Sequence, residues 1–142
     1  MKIIYNSIIP FKGFAYMNIC GILFGRNECK MRLTKRDINH ESIHTEQMKE
    51  MLYIFFYIWY LIEWMIKIPC SWFYKQPKNH RAISKVAYRS ISFEQEAFYN
   101  QYDYEYLEGK RKRYNWLKRV FKMYDYTLEV PNSGPEIYIN NQ

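Results

Sequence analysis

Two histidines and the glutamate that follows the first of them form the pattern in this chain most suited to chemistry. His40, Glu41 and His44 make a His-Glu-x-x-His motif. On a helix the two histidines are about 40° apart around the axis and one turn apart along it, so both imidazoles can bind one ion. Zinc accepts neutral imidazole nitrogens. The pattern therefore predicts a zinc site with His40 and His44 as ligands.

The glutamate inside the motif has a separate predicted role. Glu41 points to another side of the helix because each residue turns the helix by about 100°. A carboxylate beside the metal can take a proton from a zinc-bound water and so act as a general base. The alternative interpretation of the motif is a pair of helix-surface histidines that bind no metal.

A catalytic zinc needs a third protein ligand, and residues 92–100 offer two candidates. Glu94 and Glu96 are about 200° apart on a helix, so only one of them can face the metal. We expect Glu96, because Asn100 lies on the same face four residues later and can hydrogen-bond a ligating histidine. Glu94, an acidic residue of the first turn, remains an alternative, and His80 is a third candidate.

Three further residues are candidates for supporting roles. Gln47 lies within about 20° of His40 around the helix and can orient a ligand or contact substrate. Tyr88 or Arg89, just before the acidic helix, can stabilise an oxyanion. Packing or surface roles account for these residue types equally well.

The elements that must position these residues begin with strands. Residues 1–33 are apolar and β-branched, with glycines as punctuation. Two runs, at residues 14–17 and 19–26, predict a hairpin or ribbon. A short β-ribbon is therefore expected before the segment that carries the motif.

The motif itself lies in a predicted long helix. Thr34 and Asp37 have the spacing of a capping box, with Asp in place of the usual Glu or Gln. No Pro or Gly follows until Pro69. The sequence therefore predicts one helix over residues 35–67.

The second half of this helix is unusually apolar. Residues 51–66 contain one charge, Glu63, and are fewer than the roughly 20 residues needed to span a bilayer. Polar and tyrosine residues recur along it at spacings of three and four, which predicts one water-facing side on a helix packed in a soluble domain. A membrane-embedded helix is the alternative. The stripe comprises Glu46, Glu50, Tyr53, Tyr57, Tyr60, Trp64 and Lys67.

The rest of the chain predicts two or three more helices and a tail. Residues 127–142 are rich in Pro, Asn, Ser and Gly, which predicts an extended or disordered tail after a single domain over residues 1–126. The predicted helices span residues 80–89 after the cap residue Asn79, residues 93–108 with Ser92 and Gln95 as a capping box, and residues 110–122 as a basic amphipathic segment.

The composition excludes some classes of protein and some kinds of site. Apolar residues make up 49% of the 142 residues, which excludes a chain that is disordered throughout. None of the three cysteines lies in a Cys-x-x-Cys pair, so the sequence does not support a zinc ribbon. The net charge of +7 permits an anionic partner without identifying one. The N-terminus lacks the features of a signal peptide, so we expect a cytoplasmic protein, with membrane association as the alternative.

The motif and a downstream glutamate together resemble the zincin metallopeptidases whose third ligand is Glu. In that group a Glu-x-x-Ala-Asp or Glu-x-x-Ala-Asn pattern commonly carries the ligand. Glu96 and Asn100 match the Glu and Asn, whereas Tyr99 stands where Ala is usual. Glu94 has Ala97 three residues later but lacks the following Asn or Asp. The resemblance implies a zinc cofactor and a peptidase-like activity.

Most of the chain also resembles a family of small uncharacterised bacterial proteins, a likeness that implies no substrate. The expected fold is α+β, mainly α and zincin-like, with the β-ribbon, the long motif-bearing helix and the further helices. The residues that carry the wider likeness are 9–13, 39–41, 57–60 and 88–97.

Two classes of function follow from these observations. The first is a peptidase-like zinc hydrolase, with a zinc-activated water, Glu41 as general base and the ribbon as an edge strand for a peptide or protein substrate. The alternative is a non-enzymatic protein whose metal site is structural or vestigial and which binds a membrane surface or a protein partner. No nucleic-acid partner is expected, and the sequence leaves the oligomeric state open.

Overall fold

The chain folds as an α+β protein in which helices predominate and three short strands form one sheet. The computed structural model describes residues 2–10, 12, 14–74 and 83–128. The strands are β1 (Lys2–Asn6), β2 (Tyr16–Ile19) and β3 (Ile22–Arg26), and the helices are α1 (Lys35–Glu50), α2 (Ile54–Phe73), α3 (Ile83–Arg89) and α4 (Ser92–Asn100). Short 3₁₀ turns span Asn27–Arg32, Asn115–Arg119 and Tyr126–Leu128, and a π turn spans Tyr106–Lys110.

The sheet has the order β1-β3-β2. β2 and β3 form the antiparallel hairpin that the sequence predicts, with Asn18 opposite Leu23. β1 pairs with β3 in parallel, which the sequence analysis did not predict because the pairing joins segments that are not adjacent in the chain. Leu23 on the central strand β3 is fully buried. Because β3 lies between the other two strands, β2 is an edge strand of the described sheet.

The start of α1 confirms the predicted capping box. The amide of Asp37 donates to the Thr34 hydroxyl at 3.2 Å, and the Thr34 amide donates to the Asp37 carboxylate at 3.1 Å. These two bonds satisfy amides that a helix start otherwise leaves unpaired. The inward face of α1 carries Asn39, His40, Ile43, His44, Gln47 and Met48.

The prediction of a single helix over residues 35–67 is wrong, because the helix is interrupted between Glu50 and Ile54. Leu52 and Tyr53 have positive φ angles of 51° and 59°, in a region that non-glycine residues seldom adopt. The break lets α2 turn back against the protein, where Phe56 stacks on Phe93 with ring centroids 4.5 Å apart. Tertiary packing thus overrides a segment that contains neither Pro nor Gly.

The polarity of α2 is the reverse of the prediction. Its buried side carries Glu63, Lys67 and Ser71 beside Phe56, whereas its apolar side faces outward. The expectation that the whole polar stripe faces water is therefore wrong, because Lys67 is buried and Tyr60 donates a hydrogen bond to Glu94. Tyr57 and Trp64 of the stripe are exposed. Among the described residues, α2 is the one helix long and apolar enough to cross a membrane by length and composition, with mean hydropathy 1.2 and 22% of that window buried.

The second half of the chain is less helical than predicted. α4 ends at Asn100 rather than near residue 108. Ser92 forms no cap, because its amide and hydroxyl donate to the Glu63 carboxylate at 3.0 and 2.6 Å. The predicted basic helix over residues 110–122 is absent from this described segment, which forms turns that bury Trp116.

Parts of two further predictions fall outside the described residues. α3 confirms residues 83–89 of the helix predicted over residues 80–89, whereas Asn79 and His80 are outside the described ranges. Of the predicted tail, residues 127 and 128 belong to a 3₁₀ turn and the remainder is likewise outside. The domain boundary at residue 126 stays a prediction.

Replacing Lys67 with methionine should destabilise the fold. The buried Lys67 ammonium donates to the carbonyl oxygens of Val120 and Lys122 at 2.8 and 2.5 Å, and it lies 3.9 Å from Glu63. Lys67→Met leaves these groups buried without their donor, so we expect a loss of about 2–4 kcal/mol in the free energy of unfolding, measured in urea. The matched variant Lys49→Met removes an exposed ion pair and should cost less than about 1 kcal/mol. Equal losses in the two variants would contradict the anchoring role of Lys67.

Candidate metal centre

Three buried side chains from two helices converge at one point. α1 supplies His40 and His44, and α4 supplies Glu94. The two Nε2 atoms are 3.2 Å apart, His40 Nε2 is 3.5 Å from Glu94 Oε2, and His44 Nε2 is 3.4 Å from Glu94 Oε1. One ligand atom from each residue can be chosen so that all three lie within 4.8 Å of one another.

The donor set and its spacing fit a zinc ion. Zinc binds imidazole nitrogen and carboxylate oxygen at about 2.0–2.2 Å in tetrahedral geometry, so two of its ligand atoms are about 3.4 Å apart. The two imidazole nitrogens are 3.2 Å apart and lie 3.4 and 3.5 Å from different oxygens of Glu94, and one atom from each residue gives a set within 4.8 Å. Glu94 Oε2 is also buried without a hydrogen-bond partner among the described residues, which is costly unless a cation satisfies it. The cluster can therefore hold a metal.

Gln47 fixes the orientation of one histidine ring. Its amide nitrogen donates to Phe93 O at 3.1 Å and to Glu96 Oε2 at 2.9 Å, so its Oε1 is the acceptor that faces His44 Nδ1 at 2.8 Å. His44 Nδ1 must then carry a proton, so Nε2 is the nitrogen that can bind a metal once its own proton is displaced. Gln47 thus contacts His44, as its place on the helix allows, and its role towards a metal stays a prediction.

The structure does not bring the expected third ligand, Glu96, to the histidines. Glu96 is fully buried on the other side of α4, where Tyr106 donates to it at 2.9 Å and Arg111 at 2.8 Å. Arg111 also binds Glu50 at 2.7 Å. Asn100, expected to support a histidine, donates instead to the backbone oxygen of Glu96 at 2.7 Å. Glu94 is the carboxylate that meets His40 and His44.

Two tyrosines, Tyr60 and Tyr88, lie next to Glu94. The Tyr60 hydroxyl donates to Glu94 Oε1 at 2.9 Å. Burial, followed by the charges of Glu94 and Glu41, raises the pKa of Tyr88 well above its usual value. Both phenols therefore keep their protons and can donate hydrogen bonds. No sequence signal marked Tyr60, because its position was predicted to face water.

Arg89 stacks against three aromatic rings. Its guanidinium carbon lies 4.5 Å from the ring centroid of Phe98, 5.4 Å from that of Tyr124 and 5.6 Å from that of Tyr126. Such stacking of a cation on rings is a structural role. Of the two residues considered for an oxyanion, Tyr88 is the one near Glu94.

The charges within the cluster stabilise one another. Burial lowers the pKa of His44, but the Glu94 charge outweighs burial and raises that pKa to about 9. Burial raises the pKa of Glu94, and the charges of His44 and His40 reverse this to hold it well below its usual range. The charged His44 imidazole is thus paired with the Glu94 carboxylate. A metal would bind between them by displacing the His44 proton.

Glu41 is half-buried beside this cluster. Burial raises the pKa of its carboxyl, partly opposed by the charges of His44 and His40. Its backbone oxygen accepts hydrogen bonds from Asn18 on β2 at 2.7 Å and from Thr45 at 3.1 Å. The edge strand is therefore tied to α1 at the motif glutamate. A carboxylate with a raised pKa next to a metal site suits proton transfer.

The cluster is closed to most of the surrounding solvent. His40, His44 and Glu94 are 8, 6 and 3% exposed. None of the three lines the charged surface cleft formed by Glu46, Lys49, Glu50, Leu107, Arg111 and Arg113. A substrate would therefore have to reach the cluster by a route other than this cleft.

Comparison with protein-family models, with curated proteins and with solved structures finds no match to this chain. The function must therefore be argued from the geometry of the cluster itself.

Substitution of the two glutamates on α4 should distinguish them by zinc binding. Glu94→Gln removes an anionic donor from the cluster, so we expect zinc affinity to fall by more than about a hundredfold. Glu96→Gln weakens the contacts with Arg111, Tyr106 and Gln47 but removes no proposed ligand, so it should cost about tenfold in zinc affinity at most. Titration against a chelator of known affinity measures both, and His80→Ala is the control histidine. A larger loss in Glu96→Gln than in Glu94→Gln would restore Glu96 as the ligand.

Proposed function

We propose that this protein is a zinc-dependent hydrolase of the peptidase type. His40, His44 and Glu94 hold the metal, and Glu41 is the general base. The observation that carries the proposal is the convergence of two Nε2 atoms and a carboxylate at zinc-like spacing, next to a glutamate that is none of the three. A site that merely stabilises the fold has no need of that additional carboxylate.

The chemistry divides between the metal and the protein. When bound, zinc supplies Lewis acidity that polarises a carbonyl and brings the pKa of a coordinated water to about 7. Glu41 accepts the proton of the attacking water and later delivers it to the leaving amine. Its raised pKa favours this return of the proton. Gln47 keeps His44 in the tautomer that presents Nε2.

The edge strand offers a place for an extended peptide. β2 has one partner strand, β3, and lies against α1 through the Asn18 side chain, which also donates to Thr45 at 2.9 Å. A peptide that adds to such an edge gains main-chain hydrogen bonds and runs beside Glu41. The substrate class supported by this arrangement is therefore an extended peptide or an unfolded protein segment.

Tyr88 is the residue best placed to assist the reaction among those considered for an oxyanion. Its raised pKa means that the phenol keeps its proton at neutral pH, so it can donate to the oxygen that gains negative charge during attack. Tyr60 already donates to Glu94 and thereby orients a ligand.

The zincin resemblance supports the same proposal. The motif lies on one helix, a glutamate ligand lies on a second, and an edge strand runs past the motif. With Glu94 as the ligand, the pattern of this chain differs from the one common in Glu-liganded zincins. The zincin-like fold and the metallopeptidase class remain parts of this proposal.

The burial of the cluster favours one alternative function. With the three ligands at most 8% exposed, the metal can serve as a structural or vestigial centre in a protein that binds a membrane surface or a protein partner. The hydrolase requires the Glu41 carboxylate for activity, whereas in the alternative function a substitution of Glu41 affects stability at most.

Replacing Glu41 with glutamine tests the catalytic role. Glu41→Gln keeps the shape and every proposed ligand but removes the proton acceptor. We expect the variant to retain its zinc and its unfolding midpoint and to lose hydrolytic activity by about a hundredfold or more. A panel of unfolded proteins and peptides, followed by mass spectrometry, supplies the assay for the zinc-loaded protein.

Glu46→Gln is the matched control, because Glu46 lies on the same helix in an exposed pair with Lys49. Full activity in both variants would refute the mechanism. Loss of zinc in Glu41→Gln would show that Glu41 supports the ligands, and the absence of any cleavage by the parent protein would favour the structural alternative.

A further inference from the structure

The outward face of α2 is a continuous apolar surface. Leu61 and Met65 at its centre are each 53% exposed, and Trp72 near its end is 69% exposed. Exposed apolar patches of this extent mark interaction sites in soluble proteins. The exposed large side chains of α2 are Ile54, Phe55, Tyr57, Ile58, Leu61, Ile62, Trp64, Met65, Ile66, Trp72 and Phe73.

This orientation of α2 is fixed by its polar residues. The helix contains two charged residues, Glu63 and Lys67, and both face the protein. Glu63 accepts hydrogen bonds from Ser92, and Lys67 donates to the carbonyls of Val120 and Lys122. A rotation of α2 that buried its apolar face would break these buried hydrogen bonds. The outward apolar face is therefore built into the fold.

A segment bound to α2 carries positive charge. Residues 110–122 contain seven cations and no acid, and of these the Arg111 side chain is buried in ion pairs with Glu50 and Glu96. Phe121 in this segment is 99% exposed, and Lys67 holds the backbone on either side of it against α2. The exposed cations near α2 are Lys85 on α3 and, in the segment, Lys110, Lys112, Arg113, Lys118 and Lys122.

We propose that α2 docks this protein onto the surface of an anionic phospholipid bilayer. The apolar face enters the boundary between headgroups and acyl chains, and the neighbouring cations contact the headgroups. An apolar helix face combined with a basic surround is the combination that anionic membranes bind. Charge complementarity favours lipid over a second copy of this chain, because two copies would bring their basic segments together.

The helix lies in the plane of the membrane instead of crossing it. α2 is bound along its inward side to Ser92, Val120 and Lys122. A crossing helix would carry these elements, with the exposed cations Lys118 and Lys122, into the hydrocarbon, which is costly for charged side chains. An in-plane helix immerses only its outward face. This docking goes beyond the proposed hydrolase function and does not depend on the metal.

Vesicle flotation of the full chain tests the docking. We expect binding to vesicles of phosphatidylcholine and phosphatidylglycerol in equal parts, and weaker binding to phosphatidylcholine alone. The variant Leu61→Glu with Met65→Glu should lower the vesicle partition coefficient by about a hundredfold, because two immersed side chains become charged. The variant Ile8→Glu with Leu128→Glu adds the same charge at exposed positions outside α2 and should bind like the parent.

Alkylation of cysteine gives a second readout that needs no substitution. Cys70 on α2 is an exposed free thiol, and Cys29 in the Asn27–Arg32 turn is a half-buried free thiol outside α2. Anionic vesicles should slow the reaction of Cys70 with a charged maleimide and leave that of Cys29 unchanged. Zinc content and the urea midpoint of the α2 variant show that it is folded, and they keep this test separate from that of the metal site.

Three results would overturn the proposal. The first is the absence of flotation with either vesicle, and the second is equal flotation of the parent and the Leu61→Glu, Met65→Glu variant. The third is a lipid-free dimer in analytical ultracentrifugation that the same variant dissociates, since the apolar face would then be covered by a second copy.

Discussion

Two carboxylates buried on α4 must each find cationic or hydrogen-bonding partners, and much of the structure is arranged to supply them. Glu94 and Glu96 are 3 and 0% exposed, and an unpaired buried carboxylate is costly. Glu94 faces His40 and His44 on α1, whereas Glu96 faces Arg111 and Gln47. The two sets of partners draw α1 and the segment after α4 against opposite sides of one helix. Gln47 connects the sets, because it contacts both His44 and Glu96.

The features that could be predicted from the sequence are those set by nearby residues. The Thr34–Asp37 capping box, the hairpin and the shared helix face of His40 and His44 all depend on spacings of a few residues. The 200° separation of Glu94 and Glu96 also correctly implied that a single one meets the histidines. Which of the two does so depends on the position of Arg111, which the local sequence does not specify.

The predictions that failed depend on contacts between distant segments. Ser92 has the sequence of an N-cap, but the Glu63 carboxylate takes its hydroxyl and amide. The break at Leu52 and Tyr53 has no Pro or Gly signal and allows Phe56 to pack on Phe93. Lys67 and Tyr60 of the polar stripe on α2 were predicted to face water because polar residues usually do so, whereas here they bind partners inside the fold.

The two proposals meet at α2, whose inner side contributes Tyr60 to Glu94 and whose outer side is the proposed membrane surface. The central claim is that His40, His44 and Glu94 form a zinc site, and anomalous diffraction at the zinc edge tests it most directly. In crystals of the full chain grown with equimolar zinc, the account predicts an anomalous peak about 2.0–2.2 Å from His40 Nε2, His44 Nε2 and a Glu94 oxygen. Zinc peaks found only at Glu96 or at surface residues, with none between the histidines, would contradict it.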